Sequence, residues 1–125
     1  MEHRGQCIAV VSGKGGTGKT SFTAGVGAAL ALSGRRVLCL DCDIGLRNLD
    51  LALGLSDRTL MDFSDVAQNR CSLDLAAVEH PKIPGLFLLT APARLRGRPV
   101  TETQMTALLQ EVRRRYDFCL LDAPA

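Results

Sequence analysis

Short apolar runs, separated by longer segments with apolar residues at helical spacing, make up the pattern of this chain. Continuous apolar runs occupy residues 7–12, 37–40, 86–89 and 118–121. Runs of this length and composition are typical of strands in a parallel sheet, and we expect the first two to be buried on both faces. The pattern therefore predicts four strands, with the last in the middle of the sheet.

Two segments of the first half predict helices. Residues 20–32 contain Ala, Leu and Val and no proline, and Gly34 is placed to end this helix in the left-handed conformation. Thr59 and Asp62 have the spacing of a capping box, which predicts a helix over residues 60–68. The first helix joins two parallel strands, and such a crossover is right-handed.

The second half of the chain continues the alternation. Residues 43–54 are typical of a loop, and residues 73–78 predict a short helix. Thr101 and Gln104 form another capping-box pair, which opens a helix that ends at Arg115. Helices that alternate with strands predict an α/β fold of three layers with a mainly parallel sheet.

Length and composition indicate part of one globular domain. The 125 residues suffice for one hydrophobic core, and a content of 46% hydrophobic residues excludes a disordered chain. Because the chain stops at Ala125, directly after a strand expected to be central, we expect residues 1–125 to be the N-terminal part of a single domain. No segment has the form of a signal peptide or the length of a membrane span, which indicates a cytoplasmic protein.

Charge and cysteine content limit the partners. A formal net charge of +2 is too small to indicate nucleic acid or an anionic membrane. The arginines within residues 94–98 and 113–115 have no interleaved aromatic residues to stack on bases, and we expect them to be solvated. An odd count of five cysteines argues against a disulfide framework and a zinc site, and favours a reducing compartment.

A glycine-rich loop carries the clearest chemical signal. Residues 13–20 read Gly-Lys-Gly-Gly-Thr-Gly-Lys-Thr and fit the pattern G-x-x-x-x-G-K-[ST] between a strand and a helix. Glycines let successive backbone N–H groups point at one anion, and the start of the helix adds its positive end. Lys19 supplies a charge for the β- and γ-phosphates, and the Thr20 hydroxyl is a ligand for Mg²⁺. The loop predicts a site for the phosphates of ATP, formed by Gly13, Lys14, Gly15, Gly16, Thr17, Gly18, Lys19 and Thr20.

A dinucleotide site is the alternative interpretation of this loop. Three of its glycines also match G-x-G-x-x-G, and Asp41 would then hold a ribose at the end of the second strand. The Lys19–Thr20 pair favours the phosphate loop, because a dinucleotide site does not need a lysine and a magnesium ligand there.

Carboxylates follow two of the predicted strands. Asp41 and Asp43 come after the second strand, and Asp122 ends the last one. Because ligands of open α/β sheets bind beyond the carboxyl ends of the strands, we expect all three at the edge that carries the phosphate loop. There they could bind Mg²⁺ or orient a hydrolytic water.

These motifs resemble those of the MinD/ParA family of ATPases. The loop at residues 14–20 resembles the family's deviant Walker A motif, which is marked by a second lysine at Lys14. Residues 41–51 are similar to the division-site branch of the family, and residues 121–125 look like the start of its Walker B-like segment. The resemblance runs from Cys7 to the last residue. It implies a P-loop NTPase-type fold, truncated after the Walker B-like strand.

The resemblance implies a role for each residue of the loop. Lys19 would hold the phosphates, and Lys14 would reach across an ATP-sandwich dimer to the partner's nucleotide. Thr20 would coordinate Mg²⁺ directly, and Ser21 would bond the α-phosphate at a position where the family usually has threonine. The predicted catalytic residues are Lys14, Lys19 and Asp43.

It also implies roles for the carboxylates. Asp43 would orient the attacking water, and Asp122 would bind Mg²⁺ through water. Asp41 would support the switch region and, with Thr20 and Asp122, make up the predicted metal-binding set. Asn48 lies in the family's first switch loop, which responds to the γ-phosphate.

Relatives in the division-site branch form ATP-dependent homodimers and attach to the membrane through a C-terminal amphipathic helix. They recruit a division inhibitor of the MinC type, and an activator of the MinE type stimulates hydrolysis. The resemblance therefore implies an ATPase that uses ATP and Mg²⁺ in division-site placement, cytoplasmic and peripherally attached to the inner face of the cell membrane. The adenine-recognition segment and the membrane helix lie outside this sequence, and we expect no nucleic-acid partner.

Three alternatives stay open at this point. A ParA-type partitioning ATPase would bind DNA through a basic dimer surface, so salt-sensitive DNA retention rather than ATP-dependent liposome retention would identify it. A flagellar-number regulator belongs to the same family. The chain could also be an inactive fragment of such a protein.

Overall fold

The computed structural model describes residues 4–11, 18–44, 48–58, 61–93 and 97–123. In this part of the chain five strands form one sheet, with helices on both faces. The strands are β1 (Gln6–Val10), β2 (Val37–Asp41), β3 (Val78–Glu79), β4 (Leu86–Leu89) and β5 (Phe118–Asp122). The helices are α1 (Lys19–Leu32), α2 (Asn48–Ala52), α3 (Phe63–Ala67), α4 (Leu73–Ala76) and α5 (Glu102–Arg115).

The order of the strands across the sheet is β1-β5-β2-β4-β3. All neighbours are parallel except β3, which pairs antiparallel with β4. The last strand, β5, lies between β1 and β2, as its apolar pattern predicts. In the register of the sheet Asp122 pairs with Val10 on one side and with Asp41 on the other, so the carboxyl ends of these three strands meet at one edge.

Strand β2 divides the molecule into two cores. Its residues Val37, Leu38, Cys39 and Leu40 are completely buried, and they alternate between the two faces of the sheet. Val37 and Cys39 belong to the core that α1 and α2 cover, whereas Leu38 and Leu40 belong to the core that α3, α4 and α5 cover. The prediction of an α/β fold with three layers is therefore confirmed.

Helix α1 packs closely on the sheet through a glycine. A Cβ atom at Gly27 would lie 2.7 Å from the Sγ atom of Cys39, so a side chain there would collide with β2. The helix ends at Leu32, and Gly34 follows with φ +93°, the left-handed conformation expected at this position. Within the described residues no helix combines the length and apolarity needed to cross a membrane.

The prediction that the first strand is buried on both faces is wrong. Gln6 and Ala9 of β1 are exposed, and the side chain of Ile8 is 43% exposed. The physical reason is the cover that the helices provide, because in the described part of the chain α1 packs chiefly on β2 and β5 and leaves that face of β1 exposed. An apolar run indicates a strand but does not indicate which helices cover its two faces.

The predicted loop at residues 43–54 contains a helix, α2, which the sequence analysis missed. Polar residues between the leucines obscure its helical spacing. Leu49 is completely buried and packs with the core under α1. Its backbone N–H donates to the Asp41 carboxylate at 3.4 Å. Contacts distant in sequence therefore stabilise this short helix.

The predicted capping box at Thr59 is also wrong. Helix α3 begins at Phe63 with Asp62 as its N-cap, and Thr59 lies outside the described residues. The Asp62 side chain accepts from the backbone N–H of Ser64 at 2.9 Å, and the Asp65 side chain accepts from the N–H of Asp62 at 2.9 Å. The capping box is therefore formed by Asp62 and Asp65, which have the same spacing as the predicted pair and lie three residues further on.

The other predicted elements agree with the structure to within two residues at each end, and one short strand, β3, was not predicted. The predicted short helix at residues 73–78 ends at Ala76, because Val78 and Glu79 form β3 and pair with β4. The capping box of α5 is confirmed, since the Thr101 hydroxyl accepts from the backbone N–H of Gln104 at 3.1 Å and the backbone N–H of Thr101 donates to the Gln104 side chain at 2.9 Å. Strand β3 has only two residues, too few for an alternating pattern to indicate it.

Candidate functional site

The site lies where α1 begins beside the end of β5. Gly18 precedes the helix and offers no capping side chain, and the first turn contains no acidic residue. The backbone N–H groups of that turn are therefore free of a competing carboxylate on their own helix and can meet an anion. This is the arrangement that the phosphate-loop pattern predicts for the residues after Gly18.

Two side chains of the first turn of α1 converge on Asp122. The Lys19 ammonium group forms an ion pair with the Oδ1 atom of Asp122. The Thr20 hydroxyl donates to the Oδ2 atom of the same carboxylate at 3.0 Å. The side chains of Lys19 and Asp122 are only 6% and 2% exposed. The structure thus brings together three of the predicted site residues, although Asp122 is about a hundred residues away in sequence.

Burial makes this ion pair sensitive to change. Removing one partner of a buried pair leaves an uncompensated charge in a poorly solvated place, at a cost of about 3–5 kcal/mol. Lys19 and Asp122 therefore neutralise each other in this structure. A new anion near Lys19 would have to compete with Asp122 for the ammonium group.

Asp41 lies next to Asp122 at the end of β2 and is completely buried. Its carboxylate accepts from the backbone N–H of Asp43 at 2.9 Å and from that of Leu49 at 3.4 Å. Burial raises the pKa of Asp41, and these two hydrogen bonds oppose the rise, while the charges of Asp43 and Asp50 add to it. Both oxygens of Asp41 thus accept hydrogen bonds from the backbone of the loop after β2 and of the start of α2.

The other predicted residues lie at the same edge or outside the described part. Asp43 is half-buried just beyond β2, Asn48 is exposed at the start of α2, and Ser21 is exposed in the first turn of α1. The predicted residues outside the described part of the chain are Gly13, Lys14, Gly15, Gly16 and Thr17. The contribution of Leu49 was missed, because a backbone N–H leaves no signal in the sequence.

The donor atoms around Asp122 fit a magnesium ion bound together with a substrate. In the described ranges no three His, Cys, Asp or Glu side chains are close enough to form a metal cage. Mg²⁺ does not need one, since it is usually held by one or two protein oxygens, several waters and substrate phosphates. The Thr20 hydroxyl and the Asp122 carboxylate, which are in contact, are oxygens of that kind.

Arginines at the end of α5 contact other parts of the protein. Arg115 pairs with Asp74 at 2.6 Å and with Glu111 at 3.4 Å. The Nε atom of Arg113 donates to the carbonyl oxygen of Gly5 at 3.0 Å. Two of the three arginines therefore already have partners within the protein.

The chain is similar to a known nucleotide-binding family. Residues 8–118 match the family model of the CobQ/CobB/MinD/ParA nucleotide binding domain. The septum site-determining protein MinD of Synechocystis sp. is 42% identical over 118 residues, which are 94% of this chain and 44% of that protein. MinD of Bacillus subtilis is 39% identical over 122 residues, 97% of this chain and 46% of that protein. The chain thus spans less than half the length of the curated relatives that it matches.

Solved structures give the same result. The MinC:MinD cell division protein complex of Aquifex aeolicus matches with a TM-score of 0.84 and 38% identity, over 96% of this chain and 48% of that one. MinD of Pyrococcus horikoshii, solved with Mg-ADP, matches with a TM-score of 0.74 and 31% identity, over 96% and 49%. The predicted P-loop type of α/β fold is thereby confirmed. The chain belongs to the CobQ/CobB/MinD/ParA nucleotide-binding domain family.

Proposed function

We propose that this chain forms the phosphate- and magnesium-binding part of an ATPase that switches with its nucleotide in bacterial division-site placement. The observation that carries the proposal is the convergence of Lys19 and Thr20, from the first turn of α1, on Asp122 at the end of β5. Relatives named MinD support the division-site role over chromosome partitioning. The Mg-ADP bound by the MinD of Pyrococcus horikoshii supports ATP and Mg²⁺ as the ligands.

The ion pair suggests how the Lys19 ammonium group changes its partner when the nucleotide binds. Phosphate oxygens would replace Asp122 as the acceptor for Lys19, so that the ammonium group stays neutralised throughout. Asp122 would then be free to accept hydrogen bonds from waters of the metal, while Thr20 offers its hydroxyl oxygen. Bound Mg²⁺ would neutralise the charge of the β- and γ-phosphates. The buried carboxylate thus holds the lysine side chain in position before the nucleotide arrives.

Hydrolysis and dimerisation involve the remaining predicted residues. Asp43, in the loop held by Asp41, would orient the attacking water. Lys14 would supply a positive charge to the nucleotide of a second subunit, which makes activity depend on ATP-dependent dimerisation. Gly13, Gly15, Gly16, Thr17, Gly18 and Ser21 would complete the phosphate contacts.

The partners follow from the relatives. The complex of MinC with MinD in Aquifex aeolicus supports a division inhibitor of the MinC type as a partner. An activator of the MinE type, and peripheral attachment to the inner face of the cell membrane through a C-terminal helix of the complete protein, complete the proposed cycle. A cytoplasmic protein that returns to the membrane with ATP would show ATP-dependent retention on liposomes.

Binding of a fluorescent ATP analogue tests the nucleotide site directly. The chain would be titrated with the analogue in the presence and absence of Mg²⁺, next to Lys19→Ala and Thr20→Ala. Lys82→Ala is the matched control, because Lys82 is an exposed lysine in the segment before β4. Lys19→Ala should bind the analogue about 10- to 100-fold more weakly, because it loses a charged hydrogen bond. Thr20→Ala should reduce the effect of Mg²⁺ on binding of the analogue.

A loss of nucleotide binding that is caused by unfolding of the variant must be distinguished from one that is caused by loss of the Lys19 contact. Lys19→Ala leaves Asp122 buried without a cation, so Lys19→Ala/Asp122→Asn serves as a second variant in which no charge remains. Circular dichroism melts would show that each variant is folded. The proposed site would be contradicted if folded Lys19→Ala bound the analogue with wild-type affinity, or if Mg²⁺ had no effect on binding of the analogue by the wild-type chain.

A further inference from the structure

Two cysteines face each other on neighbouring strands of the sheet. Cys7 of β1 and Cys119 of β5 are directly paired in the parallel register. Both lie on the face of the sheet that α5 covers. Neighbouring strands are about 4.8 Å apart, and disulfides span Cα separations of about 4.4–6.8 Å. The backbone therefore already holds these two thiols at a separation that a disulfide can bridge.

The two thiols differ in exposure and in acidity. Cys7 is partly exposed on the edge strand, whereas Cys119 is only 1% exposed. The Cys119 thiol donates a hydrogen bond to Cys7, and this bond, together with the charge of Arg113, lowers the pKa of Cys7 to about 7 in spite of its burial. The same hydrogen bond and burial raise the pKa of Cys119.

A hydrogen bond holds Arg113 near Cys7, where its charge favours the Cys7 thiolate. Its Nε atom donates to the carbonyl oxygen of Gly5, two residues before Cys7, at 3.0 Å. The guanidinium group therefore stays near the start of β1. Cys7 is consequently the thiol that ionises first, and Cys119 is placed to react with it.

The other cysteines lack these features. Burial raises the pKa of Cys39 to about 12 and that of Cys42 to about 11. Burial and the charges of Asp65 and Asp62 raise the pKa of Cys71, which is partly exposed. Cys71 is therefore a matched internal control, accessible but without activation.

We propose that Cys7 and Cys119 form a peroxide-reactive dithiol, in which Cys119 activates Cys7 and then closes an intrachain disulfide with it. The Cys7 thiolate attacks one oxygen of hydrogen peroxide, the O–O bond breaks, and the departing hydroxide takes up a proton to become water. The Cys119 sulfur then attacks the Cys7 sulfenic acid, the S–O bond breaks, and a second water leaves with the Cys119 proton. Two thiols lose two electrons and two protons, and one peroxide becomes two waters.

The two strands that the disulfide would join both lead to the candidate site. The proposed disulfide does not depend on the proposed ATPase function. Strand β1 leads into residues 13–20, and β5 ends at Asp122. The disulfide would join these two strands three residues before the Val10–Asp122 pair.

Mass spectrometry of the intact 125-residue chain tests the proposal. The reduced chain would be treated with hydrogen peroxide, alkylated and digested with trypsin, which leaves Cys7 in residues 5–14 and Cys119 in residues 116–125. Cys39 and Cys42 share residues 37–47, and Cys71 lies in residues 71–82. The expected product is a reducible crosslink between residues 5–14 and 116–125 within one chain, while the other peptides stay alkylated. No such crosslink, or one that joins other peptides first, would overturn the proposal.

Two substitutions of Cys119 test the activation separately. Cys119→Ser keeps a hydroxyl donor for Cys7 but cannot form the disulfide, whereas Cys119→Ala removes the donor. At pH 7 a thiol of pKa 7 is about half ionised, and the lower nucleophilicity of its thiolate leaves a net advantage of about sixfold over a thiol with a pKa of 9.0. Alkylation of Cys7 by iodoacetamide should therefore slow about sixfold in Cys119→Ala and much less in Cys119→Ser. Equal rates in all three proteins would refute activation by Cys119.

Discussion

Gly27 lies where α1 packs closely on the sheet. Replacing it with alanine has two opposing effects on stability, and the size of each is known. A Cβ atom at this position would lie 2.7 Å from the Sγ atom of Cys39 and 3.2 Å from a methyl carbon of Leu86. Both neighbours are completely buried and cannot move into solvent. Alanine in a helix gains about 1 kcal/mol over glycine, but overpacking a core costs about 1–3 kcal/mol. We expect Gly27→Ala to lower the free energy of unfolding by about 1 kcal/mol.

Gly25→Ala is the matched control in the same helix. Gly25 is exposed, and a Cβ atom there meets nothing within 4 Å, so alanine should keep its full helical gain of about 1 kcal/mol. The two variants should therefore differ by about 2 kcal/mol in urea denaturation. For a chain of this size that corresponds to a difference of about 8 °C in Tm.

A double substitution identifies the collision. Cys39→Ala removes the sulfur that the new Cβ atom would meet, so it should cost less in the Gly27→Ala background than in the wild-type chain, by about 1–2 kcal/mol. Gly27→Ala that stabilises as much as Gly25→Ala would refute the close approach. The same cost of Cys39→Ala in both backgrounds would refute the role of the sulfur.

Three other outcomes are expected. Lys19→Ala should lower the free energy of unfolding by about 3–5 kcal/mol, since Asp122 stays buried without its cation, and adding Asp122→Ala should restore part of the loss in urea denaturation. Alkylation of Cys7 by iodoacetamide should reach half its maximal rate near pH 7, because its pKa is lowered to about 7. Burial raises the pKa of Asp41 above 3.8, so the folded state binds this proton more tightly than the unfolded chain. That stability is present below pH 3.8 and is lost as pH rises through the raised pKa, and Asp41→Asn should remove this slope from unfolding curves.

Each of these has a clear contrary result. Equal losses for the single and double substitutions at Lys19 and Asp122 would mean that the ion pair is not the cause. A rate for Cys7 that still climbs steeply above pH 8 would show an ordinary thiol. Identical pH profiles of stability for the wild type and Asp41→Asn would contradict a raised pKa of Asp41.

Local chemistry made several features predictable. The glycines, lysine and threonine of residues 13–20 match the phosphate-loop pattern, and no knowledge of the sheet is needed to recognise that match. The capping box of α5 and the left-handed Gly34 depend on contacts within a few residues. The buried run of β2 is similarly evident, because a strand covered on both faces must be apolar throughout.

The order of the strands decided what the sequence could not. Whether β1 lies at an edge, whether Leu49 finds an acceptor in Asp41, and whether Cys7 faces Cys119 all depend on which strands become neighbours. Apolar runs indicate that strands form, but they carry little information on which strands become neighbours or how far each face is covered.

The sequence by itself therefore determined the fold class, and it predicted a phosphate loop with carboxylates at the same edge of the sheet. Only the tertiary structure decided that Lys19 and Thr20 contact Asp122 and that Asp41 holds the following loop instead. The physical reason is the range of the interactions. Capping, turn chemistry and periodicity act within a few residues, whereas the pairing of buried charges depends on the packing of segments about a hundred residues apart.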